Sequence, residues 1–433
     1  MELDTAKGMR DIFPDEQLLR EQIIRRLQMI FTRYGFLPLD TPIIERYDVL
    51  SAKFAAGEES DAMSEVYKLK DNGNRSLALR FDLTVPLSRF VGMNQRSLKL
   101  PFKRYQFGKV YRDAPIKAGR YREFTQCDVD IVGSKDILSD VTCAKIAVDV
   151  YKDFGLDVII QVNNRSFLSE LFKKEGLVSE EIDSLMMSID KLDKLGIEGV
   201  IKDAISKGFK EDLVRKLIGL VNFEGSNKEK IVFFQNILPD DQGLKNIGEF
   251  MSFFSEEEVV FTPSLARGLG YYTGNVFEIY ARGNESIGAI AGGGRYDGLI
   301  NSYLDSAGVK TDKSFPAVGI SFGLDRMIDV LKRLGKLSLQ NSLIKVLVIP
   351  LNTRRDSFKI VEKLRSEGIN ADFDLMNKNL KKNLSYANEY DIPFVLIIGE
   401  NELESGLVTL KDLASGENKT ISLDEAISII KEN

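Results

Sequence analysis

The chain of 433 residues contains no histidine and only two cysteines, Cys127 and Cys143. Without imidazole there can be no histidine general base, no Ser-His-Asp or Cys-His nucleophile system and no histidine metal site. The cysteines show no C-x-x-C spacing, so neither a structural zinc nor a disulfide framework is expected. Long apolar runs are missing too: Phe394 to Ile398 is among the longest and has strand length, far short of a bilayer span. The first segment, Met1 to Arg10, mixes acids and bases without an apolar stretch, so a cytoplasmic protein with no membrane segment is expected. Excess charge of one sign is small, with 65 acidic against 59 basic residues. That balance says little about nucleic acid, because local patches decide such binding. Chemistry is left to arginine, carboxylate, amide, hydroxyl and the substrate's own groups.

The length allows two or three domains, and 43% hydrophobic residues is ordinary for a globular chain. The stretch densest in chemistry runs from Tyr111 to Asp130. Two strand-like segments, Lys103 to Tyr111 and Glu123 to Val132, flank a loop punctuated by Pro115 and Gly119, which predicts a hairpin with a cationic tip. Arg112, Arg120 and Arg122 supply permanently charged planar forks suited to phosphate or carboxylate. Gln126, Asp128 and Asp130 alternate along the returning strand and so share one face. Cations at the tip and acceptors on the sheet suit a zwitterionic substrate beside a polyphosphate. A solvated surface hairpin is the other reading, since exposed charge is the default.

Along the chain, apolar residues with helical spacing follow Pro14 and end at Tyr34-Gly35. Leu37 to Glu45 reads as one strand, and its Pro38 and Pro42 place it at a sheet edge or an interface. Leu77 to Thr84 reads as a strand running into Pro86. Its Asp82 needs a cation or hydrogen-bond donors, or else caps the helix that follows. A helix over Ile137 to Phe154 and a strand over Leu156 to Val162 come next. From 165 to 254 helical spacing dominates, for instance at Leu185, Ile189, Leu192 and Leu195, which predicts an inserted helical subdomain. Then Arg267 stands among Gly268, Gly270, Tyr271 and Tyr272, where glycines let a backbone approach a ligand closely. Gly292-Gly293-Gly294-Arg295-Tyr296 reads as a second glycine-rich turn, without the lysine and Ser/Thr of a phosphate-cradling loop. Arg326 falls in the first turn of a helix, against the macrodipole unless an anion lies close. After a polar linker at 335–342, strands and helices alternate to the end, predicting a small α/β domain with a mainly parallel sheet and an exposed hairpin.

Four motifs in this order carry a family resemblance: Tyr111-Arg112 with Gly119-Arg120-Tyr121-Arg122-Glu123-Phe124 and Gln126-Cys127-Asp128; Leu265-Ala266-Arg267-Gly268-Leu269 with Tyr271-Tyr272-Thr273-Gly274; Ala291 to Leu299; and Gly319 with Gly323-Leu324-Asp325-Arg326. The chain resembles the histidyl-tRNA synthetases, which are class II aminoacyl-tRNA synthetases, over essentially its whole length. That likeness implies an α+β catalytic core, an antiparallel sheet flanked by helices, over 1–335. It further implies a helical insertion at 165–254, a C-terminal α/β anticodon-binding domain at 343–433, and a homodimer with Pro42 in its interface.

The activity so implied is ATP-dependent ligation of histidine to its tRNA through a histidyl-adenylate, with Mg2+ carried in by ATP. By the same likeness, Arg112 and Arg267 are the catalytic arginines at the α-phosphate. Phe124 stacks on adenine, Arg326 reaches the γ-phosphate, and Arg120 and Tyr121 complete the ATP site. Asp82, Leu83, Thr84 and Gln126 lie about the amino group of histidine, and Asp130, Tyr271, Tyr272 and Tyr296 about its imidazole. No protein-held metal is expected. The chain departs from the family pattern at Ala114 and Gly270, where acids are usual. An alternative of the same fold is the regulatory subunit of ATP phosphoribosyltransferase, which generally lacks the C-terminal domain and the family arginine. A further expectation is that a ligase for histidine that contains none could be synthesised while its own product is scarce; drift in composition explains the same absence.

Overall fold

The computed structural model describes residues 3–51, 65–115, 121–266, 271–337 and 342–432. It forms two compact units, Met1–Asp11 with Ile23–Leu337 and Ile12–Gln22 with Ser338–Asn433. In the first unit the strands are β1 (Leu37–Pro38), β2 (Ile44–Arg46), β3 (Lys68–Lys70), β4 (Ser76–Leu79), β5 (Phe102–Tyr111), β6 (Glu123–Val132), β7 (Val158–Asn164), β8 (Val259–Phe261), β9 (Asn275–Ala281), β10 (Ala291–Arg295) and β11 (Ala317–Gly323).

Eight of them make one sheet in the order β1-β5-β6-β11-β10-β9-β7-β8. Its five inner pairings are antiparallel, and only the outermost, β1 with β5 and β7 with β8, are parallel. The alternation of residues gives this sheet two unlike faces. On the back, Tyr105 and Phe107 of β5 and Phe322 of β11 pack around Phe31, with ring centroids 5.8 Å from it. Arg104, Gln106, Gln126, Asp128 and Asp130 occupy the intervening positions and therefore face forward.

Several expectations are corrected. Leu37 to Glu45 is not one strand: β1 is the edge of the large sheet, while β2 belongs to a separate three-stranded sheet, β2-β4-β3. Prolines at 38 and 42 carry no N–H for a ladder, and between the strands the Thr41 carbonyl accepts from the buried Arg80 guanidinium at 2.6 Å. The strand over Leu77 to Thr84 ends at Leu79, and a helix, Thr84–Asn94, begins where it was expected to continue.

The glycine run at 292–294 is no turn. It lies inside β10, in the interior of the sheet. A Cβ at Gly293 would sit 2.0 Å from the Gly319 carbonyl oxygen, and one at Gly294 would sit 2.9 Å from the Tyr272 ring. Glycine there allows close packing of strands and side chains. Arg295 turns to structure as well: its Nε donates to Asp140 at 3.0 Å and its Nη1 to the Ser134 carbonyl at 2.9 Å.

The insertion consists of helices Arg165–Lys174, Ser179–Ile189, Leu192–Ser206, Glu211–Val221, Asn227–Ile237 and Gln242–Met251. Leu185 and Ile189 are buried as expected, but Leu195 is half exposed. Gly196, at φ +66°, breaks the helical path beside it.

In the second unit β12 (Val346–Pro350), β13 (Ala371–Phe373), β14 (Phe394–Ile398), β15 (Leu407–Asp412) and β16 (Asn418–Ser422) form a sheet in the order β13-β12-β14-β15-β16. Two of its pairings are parallel and two antiparallel, so the mainly parallel sheet is a mixed one. The hairpin of β15 and β16 adds to the sheet edge, with Val408 and Leu410 buried in the domain core and Asn418 to Thr420 exposed as expected.

Candidate active site

The site is built on the forward face, where neighbouring strands set residues side by side in three rows. Arg104, Asp130 and Gly319 form the first, Gln106, Asp128 and Ser321 the second, and Gly108, Gln126 and Gly323 the third. Gly319 leaves room for its neighbour, since a Cβ there would lie 2.0 Å from Asp130 Oδ1. Arg104 Nη2 approaches Asp130 Oδ2 at 2.7 Å and the Leu83 carbonyl oxygen at 3.2 Å. The other oxygen of Asp130 accepts from the Tyr296 hydroxyl. Gln126 Nε2 donates to Ser321 Oγ at 2.9 Å.

The turn before the Thr84–Asn94 helix closes one side. Asp82 Oδ1 accepts the Val85 N–H at 3.0 Å, so the carboxylate does cap the helix while sitting beside the Leu83 carbonyl held by Arg104. Its second oxygen is not used by the cap. Above the third row, Arg112 Nε donates to the Phe81 carbonyl at 3.1 Å and its guanidinium lies 5.1 Å from the Phe124 ring centroid. Tyr296 is 6.0 Å from Tyr271, and Tyr271 is 4.6 Å from Tyr272, centroid to centroid. A chain of contacts thus joins Phe124, Arg112, the 81–83 segment, Arg104, Asp130 and the three tyrosines.

Other expected residues lie apart from this chain or outside the described residues. Tyr121 lies under the Arg10 guanidinium at 4.8 Å. Arg326 donates to the Ile287 carbonyl, and its charge also acts on Asp329 one turn along the same helix. Thr84 opens its helix, directly after the Asp82–Leu83 turn, and its carbonyl accepts from Ser88 Oγ at 3.0 Å. Arg120, Arg267 and Gly270 fall outside the described residues. Ala114 takes part through its backbone, its carbonyl accepting from Arg122 Nε at 3.2 Å.

Arg104 and Ser321 were not singled out from the sequence. Their signal is the alternation Arg104-x-Gln106-x-Gly108 against aromatic Tyr105 and Phe107, but which residue meets Asp130 depends on register, and hairpin spacing alone leaves that open.

A family profile described as histidyl-tRNA synthetase matches residues 8–327, and one described as anticodon binding domain matches 345–433. The chain belongs to the histidyl-tRNA synthetase family. Among its relatives, a "Histidine--tRNA ligase 1" of Bacillus cereus is 37% identical, covering 100% of this chain and 97% of that protein. One of Bacillus anthracis is 38% identical over 98% of each. The fold is similar to the crystal structure of histidyl-tRNA synthetase from a Nostoc species, with TM-score 0.83 and 28% identity over 100% of this chain and 99% of that one. A structure from Bacillus halodurans titled as an ATP phosphoribosyltransferase regulatory subunit/histidyl-tRNA synthetase is similar in fold alone, with TM-score 0.72 and 19% identity over 92% and 98%.

In this histidyl-tRNA synthetase family member the rows form a strongly desolvated, acid-rich surface. Burial pushes the Asp128 carboxyl up to about 7, with Arg104 opposing the shift and Asp130 and Asp82 adding to it. Burial likewise raises Asp130, against Arg104 and the Tyr296 hydrogen bond. Arg104 Nε and Nη1, Asp128 Oδ1 and Gln126 Oε1 are buried without hydrogen-bond partners. Unpartnered buried polar atoms of both signs, gathered on one face, are the chemistry expected of a site shaped for a polar, charged ligand.

Proposed function

We propose that this protein attaches histidine to its tRNA through a histidyl-adenylate. The observation that carries the reading is the continuous chain from Asp130 and Arg104 to Arg112 and Phe124, in a chain that belongs to the family named above. In this reading Asp82, Leu83, Thr84 and Gln126 receive the amino group, and Asp130 with Tyr271, Tyr272 and Tyr296 surrounds the ring. ATP lies over Phe124, with Arg112 and Arg267 at the α-phosphate and Arg120, Tyr121 and Arg326 along the rest of the nucleotide.

The physical logic needs no base. A carboxylate attacking phosphorus is already ionised, and the barrier is the meeting of two anions, which fixed guanidinium groups lower by stabilising charge that develops at the phosphate. Arg112 is held for this by the Phe81 carbonyl and the Phe124 ring. Among the described residues no group of three or more acidic or cysteine side chains is placed to hold a metal ion. Magnesium in this reading belongs to ATP, whose leaving pyrophosphate it neutralises.

Residues 1–335, interrupted by 165–254, serve as the catalytic domain in this reading, and 343–433 as the anticodon-binding domain. Within the latter, Leu375 and Met376 are exposed. Nearby, Lys378 lies 5.1 Å from the Tyr386 ring and Arg354 5.5 Å from that of Phe373. Cations beside aromatic and apolar side chains suit splayed bases and phosphates. A homodimer is supported by the place of β1 at the sheet edge among the described residues, and by the exposure of Leu37, Ile43 and Ile44.

Histidine-dependent exchange of labelled pyrophosphate into ATP, followed by charging of total tRNA with each amino acid in turn, tests the reading. Histidine alone should support both, and Arg267→Ala or Arg112→Ala should lower exchange by about a hundredfold or more. Charging with another amino acid, or exchange undiminished in Arg267→Ala, would overturn it.

A further inference from the structure

Three carboxylates, Asp82, Asp128 and Asp130, act on one another electrostatically. The buried Arg104 guanidinium, ion-paired with Asp130, opposes the effect of burial on both Asp128 and Asp130, while a second buried guanidinium, Arg80, acts on Arg104. With all three ionised, three negative charges face Arg104, the cation among the described residues that acts directly on Asp128 and Asp130. In a desolvated site such an excess is costly unless a ligand or a proton removes it. The ammonium of an amino acid answers one charge, and its carboxylate is met by Arg112 and Arg267 in the proposed reading. A second remains.

Asp128 is the carboxylate least provided for. Asp130 holds Arg104 and Tyr296, and Asp82 holds the Val85 N–H. Asp128 faces Gln106 of β5 on one side and Ser321 of β11 on the other, with Gln126 and Asp130 on its own strand. Among the described residues, Arg104 favours its ionised form while Asp130 and Asp82 oppose it, and the Ser321 hydroxyl across the pairing favours the ionised form too. Its Oδ1 has none.

We propose that Asp128 makes histidine binding take up one proton from solvent, shared in the complex between the Asp128 carboxyl and the imidazole ring. The inference rests on the reading of this site as the histidine pocket. A neutral imidazole offers one N–H donor, whereas an imidazolium offers two and needs two acceptors. Asp130 supplies one, and the free oxygen of Asp128 supplies the second. Burial brings Asp128 up to about 7, close to the ordinary imidazole value of about 6.5, so the proton can rest on either partner and the pair holds it more firmly than either alone. An uncharged ring of the same size brings no such proton and leaves the excess charge in place. Asp128 is thus a positioning residue that ties substrate choice to charge.

The test is titration calorimetry of the full-length protein with histidine at pH 8, in phosphate and in Tris, whose ionisation heats differ. The expected result is uptake of about one proton per histidine, with a Kd that rises approaching tenfold from pH 7.5 to 8.5. Asp128→Asn should bind histidine with no uptake and a Kd nearly flat over that range, and because both proteins share the titration of the amino group, their difference isolates the proposed proton. Ser321→Ala, which removes the hydroxyl that favours the ionised carboxyl, should move the uptake window to higher pH and serves if the first variant does not fold. Equal heats in the two buffers, or full uptake in Asp128→Asn, would overturn the proposal while leaving the pocket reading intact. Absence of any histidine binding, with exchange supported by a different amino acid, would overturn both.

Discussion

Arg104 and Asp130 stand opposite each other on β5 and β6, with Nη2 and Oδ2 2.7 Å apart and side chains 0% and 4% exposed. Both side chains are almost wholly withdrawn from water, so the pair fixes the depth and direction of the carboxylate that faces the ring in the proposed pocket. Removing one member leaves the other charged and buried.

Arg104→Met should therefore destabilise the protein by about 3–5 kcal/mol. Combining it with Asp130→Asn should restore part of that loss, because no uncompensated charge then remains. Denaturant unfolding of the two single variants and the double variant measures this, and a purely additive result would count against the pairing.

Gly319→Ala places a methyl group 2.0 Å from Asp130 Oδ1 and 2.9 Å from the Val129 carbonyl oxygen. The carboxylate has to move. The expected outcome is a rise of at least about tenfold in KM for histidine, roughly one misplaced hydrogen bond to a charged group, with KM for ATP little changed. Exchange kinetics with each substrate varied separately check the split.

Asp82 joins two tasks that substitution can separate. Asn at this position keeps a helix cap, while Ala forfeits about 1 kcal/mol of it. Asp82→Asn should thus unfold like the parent protein yet show a raised KM for histidine, and Asp82→Ala should lose on both counts. A parental KM in the Asn variant would remove Asp82 from the proposed amino-group site.

The ligand-free protein should lose stability as pH rises from about 4 to 8. Folding raises Asp128 to about 7 and raises Asp130 as well, whereas unfolded carboxyls titrate near 4. Between those values the folded state binds more protons, so the contribution is fully present below about pH 4 and fades as pH climbs through the folded value. This is opposite in sign to a salt-bridged carboxylate of lowered pKa. Thermal unfolding from pH 5 to 8 should show the fall, and Asp128→Asn should flatten it.

Much of this protein could be read before folding was considered. Strand alternation announced β5 and β6 and put Gln126, Asp128 and Asp130 on one face, since side chains in a strand alternate with period two. Ordered motifs gave the family. The misreadings share a cause: Gly292 to Gly294 read as a turn because glycine permits turns, yet the same missing side chain lets the carbonyl of Gly319 and the ring of Tyr272 come close. Prolines at 38 and 42 marked an edge correctly but hid that the chain passes there from one sheet to another.

Sequence by itself determined the absence of imidazole chemistry, the alternation of the hairpin, the helical character of most of 165–254 and a separate C-terminal sheet, because these depend on residue type and on neighbours close along the chain. Tertiary structure decided that Arg104 meets Asp130, that Tyr296, just past the end of β10 and 166 positions away in the sequence, meets Asp130, and that Asp128 is left with an unpartnered oxygen. Those facts depend on register and burial, and both are set only when distant strands close into one sheet and water is driven from between their side chains.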